Sequence, residues 1–127
     1  MLDDYEEGTW TPQLTDGSSN IGTTVHSAIY RKVGDLVHAD FNIQRNDTSS
    51  NSNFMILGGL PFTHASIPAL VGHAWVDNTS TDYRSFLYLP SGYTSLYFAE
   101  AGTSGDYLRL NEFDNSRYIY AALQYAV

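Results

Sequence analysis

The stretch LVHADFNIQ, residues 36–44, alternates between apolar and polar side chains. The apolar positions are Val37, Ala39, Phe41 and Ile43. The polar positions between them are His38, Asp40, Asn42 and Gln44. Because successive side chains of a strand point to opposite faces, this pattern predicts a strand with one face in a core and the other in water. Such a half-buried strand is typical of antiparallel sheets.

Similar short runs recur along the chain, separated by residues that favour turns. The predicted strands are residues 10–14, 28–33, 36–44, 54–62, 71–76, 83–89, 94–100, 107–110 and 117–127. No segment of helical length has the apolar spacing of an amphipathic helix. Eight or nine short strands at this spacing predict an all-β domain, either a β-sandwich or a barrel.

Length and composition limit what the chain can do. Its 127 residues suit a single domain, which we predict over residues 9–127. The absence of cysteine excludes disulfides and Cys-ligated metal sites. With a net charge of −8 and six Lys and Arg, the chain lacks the basic surface that nucleic acid or an anionic membrane requires. No run is long and apolar enough for a signal peptide or a membrane span.

The first residues, MLDDYEEGTWTP, place a dense acidic patch just before a tryptophan. Its carboxylates are Asp3, Asp4, Glu6 and Glu7. They form either a cation site or a solvated collar where the domain joins a preceding segment. Their spacing matches no calcium loop, and charge runs are usually solvated, which favours the collar.

Aromatic side chains take outward positions on three of the later predicted strands. If Leu87 and Leu89 face the core, then Phe86 and Tyr88 face away from it. The same reasoning gives the full outward set as Phe86, Tyr88, Tyr93, Tyr97, Tyr118 and Tyr120. A monomer seldom exposes so much apolar surface, so this set predicts a subunit interface. The alternative is that these strands pack between two layers and have no face in water.

A second group of side chains suits a saccharide. Sugar sites commonly stack an aromatic ring on the pyranose face, while Asp, Asn or Arg side chains hold the hydroxyls. Such residues flank one predicted loop: Trp75, Asp77, Asn78, Tyr83 and Arg84. Trp75 is equally compatible with a place in the core.

The sequence contains no recognisable catalytic motif. The histidines occur singly, with neither a His-Glu-x-x-His pair nor a Gly-x-Ser-x-Gly elbow. Nothing selects Glu100, Glu112 or Asp114 as the paired acids of a glycosidase. We therefore expect no enzymatic activity, no metal and no cofactor.

Three motifs in the first half of the chain resemble the C-terminal domains of bacteriophage tail-fibre and tailspike proteins. They are LDDYEEGTWTPQL, YRKVGDLVHADFNI and GGLPF. The matching positions run from Asp4 to Pro12, from Tyr30 to Val37 and from Gly59 to Phe62. The second half shares the general rhythm of strands, so the resemblance supplies no ligand residues.

The resemblance implies a homotrimeric, jelly-roll-like β-sandwich at the tip of a virion fibre, extracellular once released from the host. Residues 1–8 would then be an acidic joint to the fibre body, followed by Trp10 as the first residue anchored in the core. The implied function is attachment to a bacterial surface polysaccharide, without membrane insertion. The alternative is a trimerisation cap that has no ligand of its own.

Overall fold

Nine strands and one short 3₁₀ helix make up the described part of this computed structural model, which covers residues 5–64, 69–77, 83–89, 94–100 and 107–127. The strands are β1 (Tyr5–Thr9), β2 (Gln13–Thr15), β3 (Thr23–Val33), β4 (Leu36–Arg45), β5 (Ile56–Gly58), β6 (Ala69–Val76), β7 (Tyr83–Leu89), β8 (Leu96–Glu100) and β9 (Tyr118–Ala126). The 3₁₀ helix is Leu110–Glu112.

The strands form one antiparallel sheet in the order β1-β3-β4-β9-β6-β7-β8-β5-β2. A flat sheet of this order would separate its edge strands by about 38 Å, since neighbouring strands lie about 4.8 Å apart. The edges β1 and β2 are joined by residues 10–12 alone, a link that spans at most about 15 Å. The sheet is therefore curled, and its inner face surrounds the core.

The antiparallel all-β fold predicted from the sequence is confirmed, whereas the sandwich of two sheets is not. β9 pairs with both β4 and β6, and β5 pairs with both β2 and β8. These pairings join all nine strands into one continuous sheet. The jelly-roll arrangement and the trimer stay predictions.

The alternation in β4 determines which side of the sheet is buried. Val37, Ala39, Phe41 and Ile43 are all buried, as their spacing predicts. They lie beside inner positions of β9, where Ile43 is opposite the buried Ile119. The polar positions of β4 consequently lie on the outer face, and His38 there is exposed.

Trp10 begins the core, as expected, although the strand predicted around it has different bounds. β1 ends at Thr9 and β2 begins at Gln13, and Pro12 between them has no N–H for a ladder. The Trp10 ring is buried, and its Nε1 donates to the carbonyl oxygens of Ile29 (3.1 Å) and Asp40 (3.3 Å). The chain thus crosses between the two sheet edges with its tryptophan pointing inwards.

Two other predicted strands are shorter than expected. Residues 54–62 contribute just the three residues of β5. Gly59 follows it with a φ of +85°, and a Cβ there would lie 2.2 Å from the Thr11 carbonyl oxygen, so the chain turns where only glycine fits. Residues 107–110 form isolated bridges, from Tyr107 to Ala99 and from Arg109 to Phe54, before the 3₁₀ helix.

Phe62 and Tyr125 hold the GGLPF segment against the sheet. The Tyr125 hydroxyl donates to the Phe62 carbonyl oxygen (3.0 Å) and accepts from the Phe62 N–H (3.3 Å). The Phe62 ring packs edge-on against Tyr30, with centroids 5.5 Å apart. Tyr125 is 3% exposed, and its burial raises the pKa of the phenol to about 12.

Candidate functional site

The outer face of the sheet carries a band of aromatic side chains along β9, β6, β7 and β8, called here the outer band. Its described members are Trp75, Phe86, Tyr88, Tyr97, Tyr118 and Tyr120. Their strand neighbours Leu87, Leu89, Phe98 and Ile119 are buried. The outward direction predicted for the Phe and Tyr rings of this band is therefore confirmed, while Tyr93 lies outside the described residues.

Three rings of the outer band are open to solvent. Trp75 is 44% exposed, and Phe86 and Tyr120 are each 47% exposed. The alternative that Trp75 belongs to the core is therefore wrong. Rings of this size contribute much of the binding energy at interfaces and ligand sites. The outer band is therefore the candidate binding site for a ligand or a partner.

Strand register brings Trp75 into a cluster. It lies opposite Tyr120 of β9 on one side and opposite Arg84 of β7 on the other. The Arg84 guanidinium carbon is 5.8 Å from the centre of the Trp75 ring. This is a cation–π contact, in which the positive group meets the negative face of the ring.

A shallow trough of about 300 Å³ lies between β6 and β7 on this face. It is lined by His73, Ala74, Trp75, Arg84, Ser85 and Phe86. Since His73 pairs with Phe86 and Trp75 pairs with Arg84, the two aromatic rings come from diagonal positions. Sequence reasoning missed His73 here, and it assigned Phe86 to the subunit interface alone.

The other predicted sugar-binding residues do not all join the trough. Asp77 follows β6, where its carboxylate pairs with Arg117 (Nη1–Oδ2 3.8 Å). Tyr83 lies opposite the buried Val76 and packs against the core, on the other side of the sheet from Trp75. Asn78 falls outside the described residues. The structure thus unites Trp75 with Arg84 and separates Tyr83 from them.

Two of the predicted interface rings are partly covered by their own chain. Tyr107 stacks on Tyr97 with centroids 4.9 Å apart and on Tyr88 at 6.0 Å, and Phe54 meets Tyr107 edge-on at 5.3 Å. Burial, followed by the neighbouring phenols Tyr88 and Tyr97, raises the pKa of Tyr107. No local pattern indicates this stack, because Tyr107 and Phe54 reach it through isolated bridges.

The remaining interface candidates lie on β9. Tyr118 and Tyr120 stack with centroids 5.8 Å apart, and Tyr120 is the neighbour of Trp75 across the strand pair. Trp75 and Arg84 of the predicted sugar-binding set therefore share one surface with the residues predicted for assembly. A ligand on Trp75 and a sister subunit on Tyr120 would be in contact or in competition.

The acidic start is engaged in local contacts where the structure describes it. The Tyr30 hydroxyl donates to Glu6 Oε1 (2.7 Å), which raises the pKa of the phenol. Arg31 Nε lies 3.9 Å from Glu7 Oε2. Both carboxylates are on β1, and Asp3 and Asp4 fall outside the described residues.

The trough offers open π faces and a guanidinium, which are the groups that hold a sugar ring and its polar substituents. Ser85 Oγ donates to the Ala99 carbonyl oxygen (2.9 Å), so its hydroxyl is engaged with the backbone.

The described residues include no group of three or more His, Asp or Glu side chains placed to hold a metal. Nor does that part of the chain contain a helix with the length and apolar character to cross a membrane.

In comparisons with known proteins, no protein-family model and no curated protein matches this chain.

Proposed function

We propose that this chain is a non-enzymatic host-attachment module at the tip of a phage tail fibre or tailspike. It binds bacterial surface carbohydrate as a homotrimer. The motifs between Asp4 and Phe62 support the phage assignment. The observation that carries the binding role is the exposed Trp75 ring with Arg84 beside it.

The chemistry of the trough favours a saccharide. Axial C–H groups of a pyranose meet the negative face of the Trp75 ring, and the Arg84 guanidinium offers several N–H donors within reach of that ring. A shallow surface site of this kind binds one sugar unit weakly. Three copies on one fibre tip raise the affinity for a repeating polysaccharide through effective concentration.

A second candidate is an assembly cap that registers three chains and binds no ligand. The observation in its favour is that Phe86 and Tyr120, at 47% exposure each, lie on the same face. A sister subunit that covers them removes this apolar surface from water. Attachment requires the Trp75 ring to bind a sugar, whereas an assembly cap does not. Experiments on Trp75 can therefore distinguish the two functions.

The test is a glycan array followed by calorimetry with polysaccharide from the host. Trp75→Ala is expected to weaken binding about fivefold or more, because stacking on one ring is worth about 1 kcal/mol or more. Tyr5→Ala is the matched control, since Tyr5 is also an exposed ring, at 44%, but lies on β1 at the sheet edge. Absence of binding to any surface sugar of the host would contradict the attachment role.

Deleting the domain from its parent fibre separates the two candidates. An attachment module leaves intact fibres that fail to adsorb to cells. An assembly cap leaves misassembled fibres, visible by electron microscopy. Intact and fully adsorbing fibres would contradict both.

A further inference from the structure

The basic side chains of this acidic chain are few, and most of them already have partners. Three arginines form ion pairs within 4 Å: Arg31 with Glu7, Arg45 with Asp47, and Arg117 with Asp77. With 14 acidic and six basic residues, carboxylates outnumber basic groups more than two to one in the chain. A basic group that contacts an aromatic ring and forms no ion pair among the described residues is found at two positions, Lys32 beside Phe62 and Arg84 beside Trp75.

Arg84 is such a group. Among the described residues its guanidinium forms no ion pair and no hydrogen bond, and its contact is the Trp75 ring at 5.8 Å. The residue is exposed on the outer face. A guanidinium keeps its charge at any physiological pH, so this position always offers a cation.

The described residues that line the trough around Arg84 include no carboxylate, and His73 is the second nitrogen base among them. Among these lining residues Arg84 supplies a positive charge, whereas the chain as a whole has a net charge of −8. Electrostatic complementarity of this kind contributes more to specificity for a ligand than to the affinity for it.

We infer that the saccharide bound by this trough is acidic and carries a carboxylate on its ring, as uronic acids do. The inference rests on the proposed function. The sugar ring stacks on Trp75, and its carboxylate accepts two parallel N–H bonds from Arg84. A ring substituent fits because Arg84 stands directly across the strand pair from Trp75. The volume of about 300 Å³ suits a small ligand unit rather than a long buried chain.

A carboxylate gains more from this site than a hydroxyl does. Hydrogen bonds between two charged groups are shorter and roughly twice as strong as those between neutral groups. The planar guanidinium of Arg84 can donate parallel N–H bonds to the two oxygens of one carboxylate. The preference comes from this pair, whereas Trp75 stacks on acidic and neutral pyranoses alike.

The test uses a glycan array on which each uronate-bearing capsule fragment is printed beside its carboxyl-reduced form. The full chain is expected to prefer the acidic form about tenfold or more. Arg84→Gln is expected to abolish the preference, and Arg84→Lys to retain part of it. Raising the salt concentration from 0.05 M to 0.5 M should weaken the preference, since the pair is exposed.

Arg31→Gln is the matched control. It removes the same charge from the outer face three strands away, about 14 Å from β6. It is expected to leave the preference unchanged, and thermal unfolding checks that each variant is folded.

The outcomes separate this inference from the proposed function. Equal binding of acidic and reduced forms, or equal losses for Arg84→Gln and Arg31→Gln, overturns the inference and leaves saccharide attachment standing. Binding to no glycan on the array overturns both. An acid preference that Arg84→Gln removes and Arg31→Gln retains supports both.

Discussion

At the scale of single residues, the two tryptophans lie in different environments, one in the core and one on the outer face. Trp10 is 8% exposed, and its ring N–H is satisfied by two backbone carbonyls. Trp75 is 44% exposed and contacts a guanidinium on the outer face. The first therefore contributes to stability, and the second is open to a ligand, as the proposed function requires.

Replacing each tryptophan by alanine tests this difference. Trp10→Ala is expected to lower the free energy of unfolding by about 3–5 kcal/mol, because it empties a core position. Trp75→Ala should change it by less than about 1 kcal/mol, since the ring is half in solvent. Urea denaturation at neutral pH measures both. Equal losses would contradict the assignment of Trp75 to the binding surface.

The Tyr125 phenol makes the free energy of unfolding decrease as the pH rises in the alkaline range. Burial raises its pKa from 10.0 in the unfolded chain to about 12 in the folded one. Its contribution is therefore complete below pH 10 and is lost as the pH rises towards 12, by about 2–3 kcal/mol in total. Tyr125→Phe removes this dependence, although it costs about 1 kcal/mol at neutral pH through the lost hydrogen bonds to Phe62.

Denaturation curves for both proteins between pH 9 and pH 12 check this prediction. The free energy of unfolding should fall more steeply with pH for the wild type than for Tyr125→Phe. Parallel curves would show that the Tyr125 phenol ionises equally easily in the folded and unfolded chains.

At the scale of elements, β6 depends on a glycine to reach β9. A Cβ at Gly72 would lie 2.1 Å from the Ala122 carbonyl oxygen and 2.7 Å from the Leu123 Cα. Both are backbone atoms, so the two strands would have to separate. The same strand pair places Trp75 opposite Tyr120, which links the glycine to the geometry of the outer face.

Gly72→Ala is expected to destabilise the protein by about 1–3 kcal/mol, the usual cost of forcing an extra group into packed structure. Gly58→Ala is the matched control, because it also lies within a strand but its Cβ would meet atoms no closer than 3.8 Å. That control should stay within about 1 kcal/mol of the wild type. Similar thermal unfolding of the two variants would contradict the close approach of β6 to β9.

Element bounds followed from the sequence where alternation extends over many residues. β7 has the predicted bounds, and β4, β6, β8 and β9 differ from prediction by one or two residues, whereas β3 begins five residues before the predicted strand. β2 and β5 are three residues long, too short for a period to be recognised. Their existence depends on pairing with strands far away in the chain.

At the scale of the whole molecule, the proposed homotrimer would determine how much of the outer band remains accessible to solvent. A homotrimer has three times the 14.1 kDa mass of the chain, and light scattering at micromolar concentration is expected to show it. The double variant Phe86→Ser, Tyr120→Ser should lower the mass, because it removes the exposed rings that a sister copy would cover. Tyr5→Ser serves as the control and should leave the mass unchanged.

A single 14.1 kDa particle for the wild type would contradict the trimer. The acidic-saccharide inference has its own test, since Trp75 and Arg84 belong to one chain. Mass and glycan binding measured on the same variants therefore answer separate questions.

The sequence by itself determined that this chain is an antiparallel β protein and which side chains point towards its core. A period of two is a local property, so Val37, Ala39 and Phe41 could be assigned without knowledge of their partners. The order of the strands is not local. Only the tertiary structure decided that β9 lies between β4 and β6, which brings Tyr120 beside Trp75 from 45 residues further along the chain. The side of the sheet on which a residue lies is encoded in its neighbours in the sequence, whereas the outer band arises from pairing between strands far apart in the sequence.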